Sequence, residues 1–236
     1  MTGFSKKIDS KRSDRRIRDL FSEKGWLAGR SERARRLILS CGRRRNYVAG
    51  EAVYRIGDRP EGLYGLINGG VSVSVPNDVG TDHTVYQASP GFWIGDLALF
   101  ADQRRLVTVI AVADTEMLHL PRARLVPLVK ENPQLIRDFY ALSHMNTALA
   151  MRLLANMAIP NAKKRLVAWL LFSDEGLEAS QEWIVVSQER LAAMVAMSLP
   201  TVQRLLKSLS ARNLVEVGYG RIRIRDRGAL ANFVQD

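Results

Sequence analysis

Along this chain of 236 residues the spacing of apolar positions changes twice, and each change marks a different kind of element. Between Tyr47 and Leu120 short apolar stretches alternate with polar positions at period two: Ala52–Ile56, Leu63–Ile67, Val71–Val75 and Val107–Ala111. Gly50, Gly57, Gly62, Gly69, Gly70 and Gly80 punctuate them, which predicts a compact antiparallel β-sandwich or roll. From residue 133 to 157 the period becomes helical. Leu135, Phe139, Leu142, Asn146, Leu149 and Leu153 recur in steps of three and four, close to a heptad seam. One amphipathic helix on its own domain gives the same pattern, but Asn146 inside the seam favours a two-fold coiled coil, since a paired Asn fixes register. That makes all six the predicted dimer interface, with Met145 and Met151 on the flank covering the β-domain. Ile159-Pro160-Asn161 then stops the helix, Asn161 caps a helix over 162–172, and a hinge between two domains is expected there.

Residues 186 to 215 read as two short helices joined by the turn Ala196-Met197-Ser198. Leu191 and Val195 repeat at helical spacing in the first, with small Ala192 between them. Ser198 is a good N-cap for the second, whose inward stripe is Val202, Leu205 and Leu209. Its other face carries Gln203, Arg204 and Lys207, which suits a helix laid in the DNA major groove with its first residues, Ser198, Leu199, Pro200 and Thr201, toward the bases. An αα-hairpin in some other core reads much the same. The next segment separates the two. Leu214–Val217 and Arg221–Arg225 alternate around Gly218-Tyr219-Gly220, a β-hairpin with Arg221, Arg223 and Arg225 on one face and Ile222 and Ile224 on the other. A basic hairpin after such a helix is a wing, placed to track phosphates.

Charge supports this division. The net charge of +11 is uneven: residues 1–50 carry +10, 51–150 carry −3 and 151–236 carry +4. A neutral-to-acidic middle between basic ends suits a sensor module joined to a DNA reader better than a uniform nucleic-acid coat. The basic opening run, Lys6 to Arg16, lacks an apolar core and is expected to be a flexible arm ending near residue 18. No apolar run is long enough to span a bilayer and no signal peptide opens the chain, so the cytoplasm is expected. One cysteine, Cys41, excludes an internal disulfide and an all-cysteine metal or iron–sulfur site, and a packed, inert thiol is expected. His83, His119 and His144 show no metal spacing.

One segment of the β-region stands apart. Gly95-Asp96-Leu97-Ala98-Leu99 opens a short apolar turn with free backbone N–H groups, and Arg105, followed by Leu106, is placed to complete an anion pocket. An ordinary loop with solvated arginines is the plain alternative.

Taken in chain order, β-roll, seam helix, hinge and winged helix resemble the cyclic-AMP receptor protein / fumarate–nitrate regulator (Crp/Fnr) superfamily of bacterial transcription factors over roughly residues 20 to 231. The motifs that carry the resemblance are Ala49-Gly50-Glu51, Gly57-Asp58, Gly62-Leu63-Tyr64 with Ile67 and Gly70, Gly95–Leu99 with Arg105, and the helix-turn-helix. The resemblance implies an α+β fold: a cyclic-nucleotide-binding-like, cupin-like jelly roll at 19–132, a dimerisation helix at 133–158 and a winged helix-turn-helix at 159–236. It implies a homodimer on a pseudo-palindromic operator in double-stranded DNA, contact with RNA polymerase, and an effector at Gly95, Asp96, Leu97, Ala98, Leu99, Arg105 and Leu106. Three departures bear on the effector. Asp96 shortens the family's glutamate, Leu106 and Val107 replace small residues after the arginine, and Ala150 and Met151 stand where hydroxyls would meet adenine. Cyclic AMP or cyclic GMP, another small effector, or control by expression level alone all stay open. Two further departures lie in the reader: Pro200 replaces a base-reading glutamate, and Ala196 fills a turn position where glycine is frequent, at a modest backbone cost. The expected function is a non-enzymatic, sequence-specific regulator in which Arg204 and Gln203 read bases and Lys207 with the wing arginines holds phosphates. An effector-binding module whose winged helix contacts protein is the alternative.

Overall fold

The period-two stretches build two four-stranded antiparallel sheets. One runs β1 (Arg43–Tyr47), β8 (Thr115–Pro121), β3 (Gly62–Asn68), β6 (Trp93–Ile94); the other runs β2 (Ala52–Tyr54), β7 (Thr108–Ala111), β4 (Val71–Pro76), β5 (Asp82–Ala88). The computed structural model describes residues 14–76, 82–174 and 183–235, so Gly80 and the arm up to residue 13 lie outside the described residues. Strand β3 is buried on both faces. Tyr64 and Leu66 point between the sheets toward Val71, Val73, Val109 and Met117, whereas Leu63 and Ile67 join a second core under the helices. Gly62 therefore does not punctuate strands; it opens β3, and a Cβ there would sit 2.3 Å from the Leu120 carbonyl oxygen. Gly65 lacks a side chain for a related reason, because a Cβ would meet the Trp93 indole at 2.6 Å.

The second core collects α1 (14–23), the turn Trp26–Gly29, α2 (Glu32–Ser40), Leu99 of α3 (Asp96–Ala101), α4 (Arg122–Glu131) and the start of α5 (Leu135–Met157). Its centre is aromatic. Phe21 and Trp26 meet Trp93 with ring centroids at 4.6 and 5.6 Å, and Trp26 meets Phe139 at 5.3 Å while its indole N–H donates to the Asp138 carbonyl at 2.7 Å. Ile17 and Phe21 are buried here, so the expected arm gives way to a packed helix by residue 14. Cys41 is buried at the end of α2, and burial pushes its thiol up.

The same core corrects the seam. Leu135, Phe139 and Leu142 are fully buried against the chain's own aromatic cluster, and Asn146 donates to the Asp96 carboxylate at 2.7 Å and the Trp93 carbonyl at 3.2 Å. The three apolar residues serve the interior of the chain and are not available as dimer contacts, while Asn146 is half-buried and bonded within the chain. Leu149 and Leu153, on the same side of the helix, are half-buried. The exposed apolar stripe of α5 is rotated by roughly 100° from it. It comprises Ile136, Tyr140, Met151 and Leu154; Met145 is exposed as well.

The chain divides into two compact units, 1–148 and 149–236, and the division falls inside α5 rather than at Pro160. The second unit contains α6 (Ala162–Asp174), β9 (Ile184–Val185), α7 (Gln188–Met194), α8 (Leu199–Ala211), β10 (Val215–Gly218), β11 (Arg221–Ile224) and α9 (Arg227–Gln235). Asn161 caps α6 by accepting from the Lys163 and Lys164 amides at 3.0 and 3.1 Å. Leu166, Leu170, Leu191, Val202, Leu206, Leu209 and Ile222 form its core.

Truncating Leu142 tests which face of α5 is internal. Leu142→Ala should cost about 2–5 kcal/mol of stability in urea unfolding, as a cavity in a packed core does, and leave the oligomeric state by light scattering unchanged. A dissociated but equally stable variant would restore the seam.

Candidate nucleic-acid interface and effector site

Helices α7 and α8 make the helix-turn-helix. Ser187 and Ser198 cap them, accepting from the Arg190 and Thr201 amides at 3.3 and 3.4 Å, and Pro200 sits in the first turn of α8, where its missing N–H costs nothing. Leu191, Ala192 and Val195 are buried, and the inward stripe of α8 is Val202, Leu206 and Leu209. Leu205, expected there, is only half-buried, because the helix is rotated so that Leu206 faces the core. Leu199, half-buried, also packs against that core. Ser198, Pro200, Gln203, Arg204 and Lys207 line the outer side of the helix, and Thr201 is half-buried with its hydroxyl 2.8 Å from that of Ser198.

The turn itself is locked by a residue that no spacing in the sequence points to. Arg165 donates to the Val195 carbonyl at 2.7 Å, to Ala196 at 3.3 Å and to Ile159 at 2.6 Å, closing carbonyls left over by the turn. Ala196 adopts the left-handed conformation at φ 49°, a strain of about 1–2 kcal/mol for a residue with a Cβ.

The wing is β10 and β11, paired from Val215↔Ile224 to Gly218↔Arg221, with β9 on its outer edge. Ile222 and Ile224 are buried, and the arginines alternate with them. The arginines are not equivalent. Arg223 and Arg225 both pair with Glu216, and those bonds hold its carboxyl below the usual carboxylate range. Arg221 lies over the Trp183 ring at 4.3 Å and stays exposed, with Tyr219 beside it at the fully exposed tip. The Glu216 pairing crosses between strands, and nothing in the linear spacing announces it.

In the β-roll, Gly95 takes φ 105° and leads into α3. Arg105 lies only 3% exposed. It donates to the Gly95 carbonyl at 2.8 Å and the Gly62 carbonyl at 2.7 Å, and its guanidinium lies 4.2 Å from the centre of the Tyr54 ring. A Cβ at Gly95 would come within 2.5 Å of an Arg105 Nη, so glycine is required there twice over. Asp96 is buried with one carboxylate oxygen on Asn146, while its Oδ2 and the Arg105 Nε lack partners. Ala98 and Leu99 are buried, whereas Leu97 is exposed. Leu106 is 65% exposed, and Val107 leans on the inter-sheet core. Thus Gly95, Asp96 and Arg105 converge, and Leu97 and Leu106 are exposed.

Residues 44–132 match the family model of the cyclic nucleotide-binding domain, and residues 164–233 match that of the Crp-like helix-turn-helix domain. The cyclic AMP receptor protein of Thermus thermophilus is 28% identical over 195 residues, covering 82% of this chain and 89% of that protein. The cAMP-activated global transcriptional regulator Vfr of Pseudomonas aeruginosa is 25% identical over 190 residues, covering 77% and 88%. The solved structure of FixK2 from Bradyrhizobium japonicum shares the fold, with a TM-score of 0.73 at 21% identity over 81% of this chain and 96% of that one. The chain belongs to the Crp/Fnr superfamily of transcription regulators. Like other Crp/Fnr members it joins a cyclic-nucleotide-binding fold to a DNA-binding helix-turn-helix. Among the described residues no His, Cys, Asp and Glu cluster fits a metal, and no described helix is long and apolar enough to cross a membrane.

Behind the Crp/Fnr cassette lies another residue that the sequence did not single out. His119 of β8 is stacked on Tyr64 at 4.6 Å and buried. Burial, then the charges of Arg45, Arg105 and Arg43, lower its pKa from 6.5 to about 4. Burial likewise raises the Tyr64 hydroxyl to about 12. The unfolded chain takes up the His119 proton near pH 6.5 and the folded chain only near 4, so its contribution to stability is complete above 6.5 and is lost as pH falls through that window. His119→Phe, which keeps the stacking, should flatten the pH dependence of unfolding between about pH 7 and 4. An unchanged slope would place the titrating group elsewhere.

Proposed function

We propose that the chain is a homodimeric, sequence-specific regulator that binds a pseudo-palindromic operator. The observation that carries this reading is the fixed helix α8, whose outer face presents Gln203, Arg204 and Lys207 on a turn clamped by Arg165. Arg204 is the base reader, since a guanidinium bonds guanine in bidentate fashion for about 1–3 kcal/mol of discrimination. Gln203 reads the neighbouring pair, and Pro200 bars recognition of cytosine through a carboxylate at that place. Lys207 and Arg221 hold phosphates, with Ser198 and Thr201 at the helix start beside them. Arg223 and Arg225 contribute less to DNA because Glu216 neutralises part of their charge.

The dimer forms through the exposed stripe of α5: Ile136, Tyr140, Met151 and Leu154. A row of large apolar side chains on one helix face, 75% exposed at Tyr140 and 65% at Leu154, is what a second copy would cover. Residues 19–132 then act as the sensing module, α5 as the connector and the remainder as the reader, working in the cytoplasm without catalysis and with RNA polymerase as a further partner. The relatives are named for cyclic AMP, and a cyclic nucleotide is the ligand class this β-roll family suits. Arg105, held by two carbonyls and the Tyr54 ring with its Nε still unpartnered, is the residue that would meet its phosphate.

Two experiments test the reading. Replacing Tyr140 and Leu154 by Asp should give a monomer in light scattering that no longer holds its operator, whereas a stable dimer would move the interface elsewhere. Selection from random DNA should return a two-fold site with one guanine per half-site, and Arg204→Ala should lose preference at that guanine. Arg221→Ala should weaken all sequences alike and lower the salt slope by about one. A parent protein that selects no sequence would favour the protein-contact alternative.

A further inference from the structure

We infer that Trp183 belongs to the DNA-binding surface as a positioning residue: its indole lies across the outer face of the wing and holds the Arg221 guanidinium ready for a backbone phosphate. Strand register explains how the ring gets there. Ile184 of β9 pairs with Ile222, and Val185 with Arg221. Alternation along the strand therefore puts Trp183 and Val185 on the outer face, away from the core that Ile184 and Val186 enter. The indole is half-buried there, with Arg221 over it at 4.3 Å and Arg223 at 4.8 Å. Gly218, directly opposite Arg221 in the hairpin, makes the room. A Cβ at that position would stand 3.1 Å from the Arg221 Cγ and 3.3 Å from the indole Cζ3.

The two cations on this ring differ in what else they touch. Arg223 shares the Glu216 carboxylate with Arg225, whereas Arg221 is exposed and stands apart from it. An aromatic face attracts a cation without neutralising it. Arg221 thus keeps its whole charge and its hydrogen-bonding edge for an anion while its long side chain is restrained. A free arginine loses much rotamer freedom when it clamps a phosphate, and one that is ordered beforehand loses less. Phosphate contacts are indifferent to base sequence. Trp183 therefore acts on affinity and leaves the choice of bases to α8.

The inference rests on the operator-binding reading, and its test keeps the two apart. Binding of the full-length protein is measured at fixed salt on the selected operator and on a duplex of unrelated sequence. Trp183→Leu should weaken both by about fivefold, the scale on which one arginine loses its pre-ordering. Trp183→Phe, which keeps a ring under the cation, should stay within about twofold of the wild type. In an Arg221→Ala background, Trp183→Leu should weaken binding by less than about 1.5-fold more, because the residue it positions is gone. A purely structural indole would weaken binding in either background alike. Trp183→Gln, suited to a half-exposed place, carries the same cycle if the leucine variant does not fold. An arm without DNA reads the platform itself: ring current should move the Arg221 side-chain protons upfield in NMR spectra, and that shift should vanish in Trp183→Leu. The inference is overturned if Trp183→Leu binds like the wild type, if its effect is the same with and without Arg221, or if the Arg221 protons do not respond. A wild type that binds both duplexes equally sinks the operator reading alone, and the cycle on the unrelated duplex still decides this one.

Discussion

A guanidinium cannot shed its charge at any pH a cell meets, and Arg105 is buried. The first unit is organised around that constraint. Gly62 and Gly95 turn their carbonyls toward it, Tyr54 covers its face, and Tyr64 packs on Tyr54 with His119 stacked beyond it. The left-handed backbone at Gly95 directs the chain into α3, so the placement of Asp96, and through it Asn146 and α5, follows from the accommodation of one cation.

Helix α5 shows how a single periodic pattern identifies a helix without saying what covers its face. Its most regular apolar row, Leu135, Phe139, Leu142 and Asn146, answers to Trp26, Trp93 and Asp96 in the same chain. Apolar spacing reports that a face is covered; it does not report by what. The exposed apolar residues are less regular, with Tyr140 and Ile136 near one end and Met151 and Leu154 near the other, separated by Ser143 and Thr147. That interruption made the row hard to see in sequence.

The fold class was legible because the strand periods, the N-caps Ser198 and Asn161, and the stop at Pro160 are local signals that the structure uses as written. The misses share a different physics. Strand β1 reads Arg-Arg-Arg-Asn-Tyr and carries no apolar alternation because it is an edge strand whose first four residues are exposed. Arg165, Glu216 and His119 act through contacts that bridge separate segments, and no spacing rule encodes them. In the reader the helix pair was apparent while its rotation was not, which is why Leu206 rather than Leu205 faces inward. A one-residue shift rotates a helix face by about 100°, and only packing decides it.

The solitary thiol has a practical consequence. Cys41 is enclosed at the end of α2, and burial keeps it protonated and slow to react. The natural chain is therefore already a nearly silent background for thiol chemistry. A single cysteine introduced at an exposed place such as Tyr219 or Met151 would be the one fast-labelling site on each subunit. In the proposed homodimer, paired spin labels or fluorophores at those places would report distances between wings and between connector helices directly, with the native cysteine left where it is.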